Sequence, residues 1–112
     1  MRLLSHEVVR LWHQVTPRPL RFVGGDADLA YGVITYAADR PRALTELPQP
    51  SAAMIVENGL AVVCFAEDAN CRATAMARDT GAKPVETDIV RNFMGIAGKP
   101  QRYMVLIIPP RR

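Results

Sequence analysis

The sequence has 112 residues, of which 49 % are hydrophobic and 22 % are charged, and its net charge is +3. This balance suits one domain with a single core and excludes a disordered chain. The longest apolar runs, residues 60–66 and 104–108, are far shorter than the ~20 residues of a transmembrane helix, so we expect one soluble domain over residues 1–112.

The first half of the chain predicts a helix, a strand and a second helix. Apolar residues recur at helical spacing over residues 5–15, with Ser5 as the N-cap and Trp12 on the apolar face. Residues 20–23 form a short strand candidate that ends in a glycine turn. The next helix buries a face that begins at Leu29, and Pro41 follows its end.

The second half of the chain predicts the remaining strands of a sheet. Residues 42–45 are a weak strand candidate, and Ser51 can cap a short helix over residues 52–57. Residues 60–64 are apolar at every position, which is typical of a parallel strand that is covered on both faces. A helix over residues 71–80 follows, and then two strands at residues 84–91 and 101–108.

Strands that alternate with helices indicate a parallel sheet with helices on both faces. The last two strands have no helix between them, so we expect them to pair antiparallel. The predicted fold class is therefore α/β: a three-layer sandwich with a mostly parallel, Rossmann-like sheet that ends in an antiparallel hairpin. The three-glycine dinucleotide fingerprint is missing, so no cofactor is expected.

Candidate ligand-binding residues lie where two predicted strands end. Gly24, Gly25 and Asp26 follow the first strand, and Glu67 and Asp68 follow the apolar strand. Open α/β sheets bind ligands at this carboxyl edge, where two adjacent carboxylates can hold a sugar or a cation. The more ordinary interpretation is a tight turn, a solvated loop and two helix caps. These residues do not form a recognisable catalytic constellation.

Other residue patterns exclude some functions. His6 and His13 have no cysteine or carboxylate at ligand spacing, so no metal site is expected. The arginines are scattered along the sequence without an accompanying aromatic stripe, so no nucleic-acid partner is expected. Trp12 and Tyr31 can stack on a sugar ring, although Trp12 lies on an apolar face where core packing is the more common role.

The chain has two cysteines, Cys64 and Cys71. Their C-x6-C spacing is not that of a redox or zinc motif. An oxidising compartment would allow a disulfide across the turn between strand and helix, whereas in a cytosol both would be free thiols.

Several motifs together resemble the soluble C-terminal domain of bacterial family-39-type glycosyltransferases, which are relatives of protein mannosyltransferases and of aminoarabinose transferases that modify lipid A. In that domain a helix with a tryptophan leads into a P-L-R-x-V-x-G-D strand and turn, then a helix and a Y-x-x-D-R-P stop, and later a G-x-A-x-V-C strand. The matching segments here are residues 11–12, 19–26, 30–32, 36–41 and 59–64. The similarity is good over residues 11–71 and loose beyond them.

This resemblance implies a context more than a chemistry. Such enzymes have a membrane region of many helices that uses a polyprenyl-phosphate sugar donor, and their catalytic acids lie in loops of that region. The resemblance therefore implies a non-catalytic periplasmic domain, excised from an inner-membrane glycosyltransferase, with no catalytic residue of its own. Its partners would be the membrane region of the same chain and a lipid-linked sugar or an acceptor, and Cys64 and Cys71 would form a disulfide.

The alternative is a free-standing cytoplasmic α/β module that binds a nucleotide or a protein partner. In that setting both cysteines would be free thiols.

Overall fold

The computed structural model describes residues 2–44, 52–78, 83–90, 92–93, 96–97 and 100–110. Their helices and strands are, in chain order, α1 (Arg2–Val15), β1 (Phe22–Gly25), α2 (Ala27–Tyr36), β2 (Arg42–Ala43), α3 (Ala52–Asn58), β3 (Leu60–Phe65), α4 (Ala69–Arg78), β4 (Val85–Ile89), β5 (Asn92–Phe93), β6 (Ile96–Ala97) and β7 (Gln101–Ile108).

The main sheet has five strands in the order β2-β1-β3-β7-β4. Strands β2, β1 and β3 are parallel, and β7 runs antiparallel to both of its neighbours, β3 and β4. The predicted mostly parallel sheet with a final antiparallel pair is confirmed. The strand order adds that β7, the last strand in sequence, lies between β3 and β4. Strands β5 and β6 form a separate antiparallel ribbon.

Alternate residues of β3 belong to two separate hydrophobic clusters, one on each face of the sheet. Ala61 and Val63 pack with α1 and α2, whereas Val62 and Cys64 pack with residues of α3 and α4 on the other face. A strand that is covered on both faces has no position for a polar side chain, which explains its uninterrupted apolar sequence. The predicted three-layer α/β sandwich is confirmed.

Helix α1 begins at Arg2, three residues before the predicted start, so the expectation that Ser5 is an N-cap was wrong. Leucines at positions 3 and 4 are good helix formers, so the helix begins before Ser5 and includes it. Ser5 is fully buried, and its hydroxyl donates to the carbonyl oxygen of Val33 in α2 at 2.9 Å. The side chain therefore links two helices instead of starting one.

Strand β1 begins two residues later than predicted. The N–H of Leu20 donates to the carboxylate of Asp39 at 2.9 Å, so a side chain takes the place of a neighbouring strand there. The same Asp39 oxygen lies 2.8 Å from Nε2 of His13, and this contact ties the end of α1 to the segment after α2.

The turns of the second half largely follow their predictions. Gly59 ends α3 with a φ of +77°, and its N–H donates to the carbonyl of Ile55 at 2.7 Å. A side chain at this position would meet the ring of Trp12 and the carbonyl of Ile108. Helix α4 starts two residues earlier than predicted. The predicted cap Ser51 and the predicted end of α4 at residue 80 lie outside the described residues.

Candidate functional site

The glycine turn after β1 holds that strand tightly against β3. Gly25 has a φ of +100°, which side chains rarely tolerate, and a Cβ there would lie 2.3 Å from the carbonyl oxygen of Val63. The N–H of Asp26 donates to that oxygen at 2.9 Å. Gly24 is less constrained, because its nearest neighbours are the side chains of Leu44 and Leu60 at 3.4–3.6 Å. Gly25 is therefore required by backbone contact with β3.

Two of the candidate carboxylates are helix N-caps. Oδ1 of Asp26 accepts the N–H of Leu29 at 3.1 Å, at the start of α2. Oδ1 of Asp68 accepts the N–H of Cys71, also at 3.1 Å, at the start of α4. Each cap stabilises its helix by about 1 kcal/mol. The structure thus gives both aspartates a structural role at the carboxyl edge.

Glu67 is exposed in the turn between β3 and α4, and it lines an open groove at the carboxyl edge of the sheet. Its Oε1 lies 3.4 Å from Nε2 of Gln101, the first residue of β7. The groove has a volume of about 450 Å³. Its lining is mostly charged and consists of Ala66, Glu67, Arg72, Glu86, Asp88, Pro100 and Arg102.

The charged side chains of the groove are connected by ion pairs. Arg72 donates from Nη1 to the carbonyl of Ala66 at 2.8 Å and to Glu86 at 3.2 Å. Arg102 donates from Nε to Asp88 at 3.0 Å, and its Nη1 lies 3.9 Å from the Glu86 carboxylate. The hydrogen bond that Arg102 donates to Asp88, together with the charges of Asp88 and Glu86, raises the pKa of Arg102 above its usual value. These contacts therefore favour the charged form of the guanidinium.

Sequence reasoning did not identify Arg72, Glu86, Asp88 or Arg102 as site residues. The sequence did contain a signal for Glu86, Asp88 and Arg102. Glu86 and Asp88 alternate along a predicted strand, and alternate residues of a strand share a face. Asp88 lies opposite Arg102 in the antiparallel register, as a pairing of the last two strands permits. Arg72 gave no such signal, because its contact depends on how α4 packs over the sheet.

Cys64 and Cys71 form a disulfide that joins the end of β3 to the first turn of α4. The pairing implied by the family resemblance is confirmed. Cys64 is fully buried in the cluster beneath α3 and α4, and Cys71 is partly exposed. Closing so short a loop stabilises the fold by roughly 2–3 kcal/mol. The disulfide also fixes the turn that carries Glu67 and Asp68.

The two aromatic candidates for sugar stacking have different environments. Trp12 is fully buried, and its indole N–H donates to the carbonyl of Arg18 at 2.7 Å, so its role is core packing. Tyr31 is 45 % exposed on α2.

The structure gives no metal site in the part of the chain that it describes. No three His, Cys, Asp or Glu side chains there are placed to hold an ion. His6 is exposed, and His13 contacts Asp39. Within the same residues, no helix is both long and apolar enough to cross a membrane.

Comparison of this chain with protein-family models, curated proteins and solved structures finds no match.

Proposed function

We propose that this chain is the periplasmic accessory domain of a membrane glycosyltransferase that uses a polyprenyl-phosphate sugar donor, and that it does not catalyse transfer itself. The observation that carries the proposal is the Cys64–Cys71 disulfide, because cytosolic reductants keep such thiols reduced and oxidising compartments preserve the bond. The resembling motifs within residues 11–41 follow one another from α1 through β1 and α2 to the turn before β2, and the motif at residues 59–64 spans most of β3.

The carboxyl edge is the part of the domain that we expect to contact a sugar. Its groove presents hydrogen-bond donors on Arg72 and Arg102 and acceptors on Glu67 and Glu86, and Gln101 lies beside Glu67. Convergent polar groups of this kind orient a ligand in a concave site. A donor sugar or an acceptor saccharide, with many hydroxyl groups, suits such a surface.

The same geometry argues for a supporting role and against catalysis. Asp26 and Asp68 are occupied as helix caps, and Glu86 and Asp88 are paired with arginines. A general base needs a free acceptor beside the reacting proton and a pKa near the working pH. These carboxylates are held as acceptors for the protein's own donors.

Removing the negative charge of the turn carboxylates tests the role of this edge. We expect the intact enzyme with Asp26→Asn, Glu67→Gln and Asp68→Asn to transfer sugar about ten-fold more slowly, an effect of roughly 1.4 kcal/mol on the barrier. Asparagine caps helices as well as aspartate does, so the fold should be kept. The matched control is Glu57→Gln, an exposed carboxylate at the opposite edge. Unchanged turnover in the folded triple variant would refute a role for the carboxyl edge.

Thiol titration tests the proposed location separately. Protein isolated from its native host without reductant, and then unfolded, is expected to show no reactive thiol, because Cys64 and Cys71 are joined. Reduced and unfolded protein, which should show two thiols, is the control. Two reactive thiols in the non-reduced sample would instead assign the chain to a reducing compartment and contradict the periplasmic proposal.

A further inference from the structure

Four arginines meet at the amino edge of the sheet, opposite the candidate groove. Arg18 and Arg21 precede β1, and Arg40 and Arg42 lie just before and within β2. The N–H of Arg42 donates to the carbonyl of Arg21 at 2.9 Å, and Arg42 lies opposite Phe22 in the parallel register. The fold thus brings together two arginine pairs that helix α2 separates in the sequence.

These four arginines, which we call the basic edge, are all exposed. Arg18 donates to the main-chain carbonyl of Glu57 at 3.4 Å. Within the described parts of the chain, no carboxylate forms an ion pair with any of the four. The nearest carboxylate in sequence, Asp39, already accepts from Leu20 and contacts His13. Glu57 is a second carboxylate at this edge, so among the described residues four arginines lie beside two carboxylates and the basic edge keeps a net positive charge.

The opposite edge of the sheet has the opposite sign. Among the described residues its arginines are Arg72 and Arg102, which are engaged with Glu86 and Asp88. In the same part of the chain, acidic side chains outnumber these two arginines at this edge; they are Asp26, Asp28, Glu67, Asp68, Glu86 and Asp88. An anionic surface would attract the basic edge and repel the carboxyl edge, so the charge distribution can orient the whole domain.

The backbone at Arg40 adds a second observation. Its φ is +54°, and it is the described residue other than glycine with a positive φ. Glycine adopts this conformation at lower cost than a residue with a side chain. An exposed arginine that accepts this conformational cost is expected to act in binding a partner and not in stabilising the fold.

We propose that the basic edge docks on a membrane surface of anionic phospholipids. Guanidinium groups bind phosphate through paired N–H donors, and clustered arginines bind anionic bilayers. Nucleic acid is the other common polyanion, but the disulfide favours a compartment in which lipid phosphate is the available partner. The proposal rests on the proposed function for the proximity of a membrane. It orients the groove towards the aqueous phase, which favours an acceptor saccharide over the lipid-linked donor as the ligand of the groove.

Vesicle flotation with the full chain tests this docking. We expect binding to phosphatidylcholine vesicles that contain phosphatidylglycerol, weak binding to phosphatidylcholine alone, and release at high salt, because salt screens exposed charges. Each arginine near an anionic surface contributes about five-fold to binding, so Arg21→Gln with Arg42→Gln should weaken it about 25-fold. The matched control, Arg72→Gln with Arg102→Gln, removes the same charge from the opposite edge and should change binding less than about two-fold.

A single substitution separates docking from folding. Arg40→Gly should unfold at the same or a higher temperature, since glycine suits the positive φ, yet bind anionic vesicles about five-fold more weakly. This variant also decides the question if the double variant fails to fold. Unchanged vesicle binding by folded Arg40→Gly would count against the basic edge.

Three further outcomes would overturn the proposal. They are equal losses from the two double variants, equal binding to neutral and anionic vesicles, and tighter binding to duplex DNA than to anionic vesicles at the same salt concentration. Vesicle binding is measured without sugar transfer. A negative vesicle result therefore rejects lipid docking only, and the glycosyltransferase proposal is still decided by the turnover test. A failed turnover test likewise leaves lipid docking in place.

Discussion

Replacing Gly25 by alanine is expected to destabilise the fold by roughly 2–5 kcal/mol, a large part of the 5–15 kcal/mol by which proteins of this size are stable. The added Cβ would lie 2.3 Å from the carbonyl oxygen and 2.9 Å from the nitrogen of Val63. The positive φ costs about 1–2 kcal/mol for a residue with a side chain, and overpacking adds about 1–3 kcal/mol. Relief would need β1 to move away from β3 and lose the hydrogen bond of Asp26 to Val63.

Gly24→Ala is the matched control for Gly25→Ala. Its Cβ would meet side-chain atoms of Leu44 and Leu60 at 3.4–3.6 Å, which is close to ordinary contact. The expected change is within about 1 kcal/mol, because flexible side chains can adjust. Urea unfolding of both variants, monitored by circular dichroism, measures the difference between their free energies of unfolding. Equal losses would show that contact with β3 does not determine the glycine at position 25.

Trp12→Ala is expected to destabilise the fold by about 3–5 kcal/mol, as truncation of a buried aromatic residue generally does. The ring is fully buried, and its outer edge lies so close to the turn after α3 that a Cβ on Gly59 would be 2.6 Å away. The loss has two parts, a cavity between α1 and this turn and an unpaired carbonyl at Arg18, which accepts the indole N–H.

Two further variants separate these effects. Trp12→Phe keeps most of the apolar surface and should cost about 1–3 kcal/mol, chiefly from the unpaired carbonyl of Arg18. Tyr31→Ala removes an aromatic side chain that is 45 % exposed and should cost about 0.5 kcal/mol or less. Thermal or urea unfolding gives all three values. A larger loss for Tyr31→Ala than for Trp12→Ala would contradict the assignment of Trp12 to the core.

Local features of the sequence were enough to predict most elements of the fold. The unbroken apolar run of β3 required cover on both faces, and the structure provides it. Aspartates before α2 and α4 were recognisable as possible caps, because their side chains satisfy N–H groups only two or three residues away. Gly59 was similarly recognisable as a helix stop.

Features that depend on distant partners were not predictable in the same way. Serine is a residue type that commonly caps helices, and only the hydrogen bond from the buried Ser5 to Val33 shows the actual role of this residue. The insertion of β7 between β3 and β4 is a matter of strand order, which no local pattern contains. The arginines of the basic edge appear scattered in the sequence because their proximity arises from the parallel register of β1 and β2.

The position of β7 also has a consequence for synthesis of the chain. Strand β4 is made earlier, yet among the described strands its neighbour is β7, which contributes the buried residues Met104, Val105 and Leu106 to both clusters. A nascent chain that has emerged only as far as β4 thus holds an unpaired strand and an open side of β3. Co-translational folding of this sheet must wait for residues 101–108, and until then its edges are open to chaperones or to misassembly.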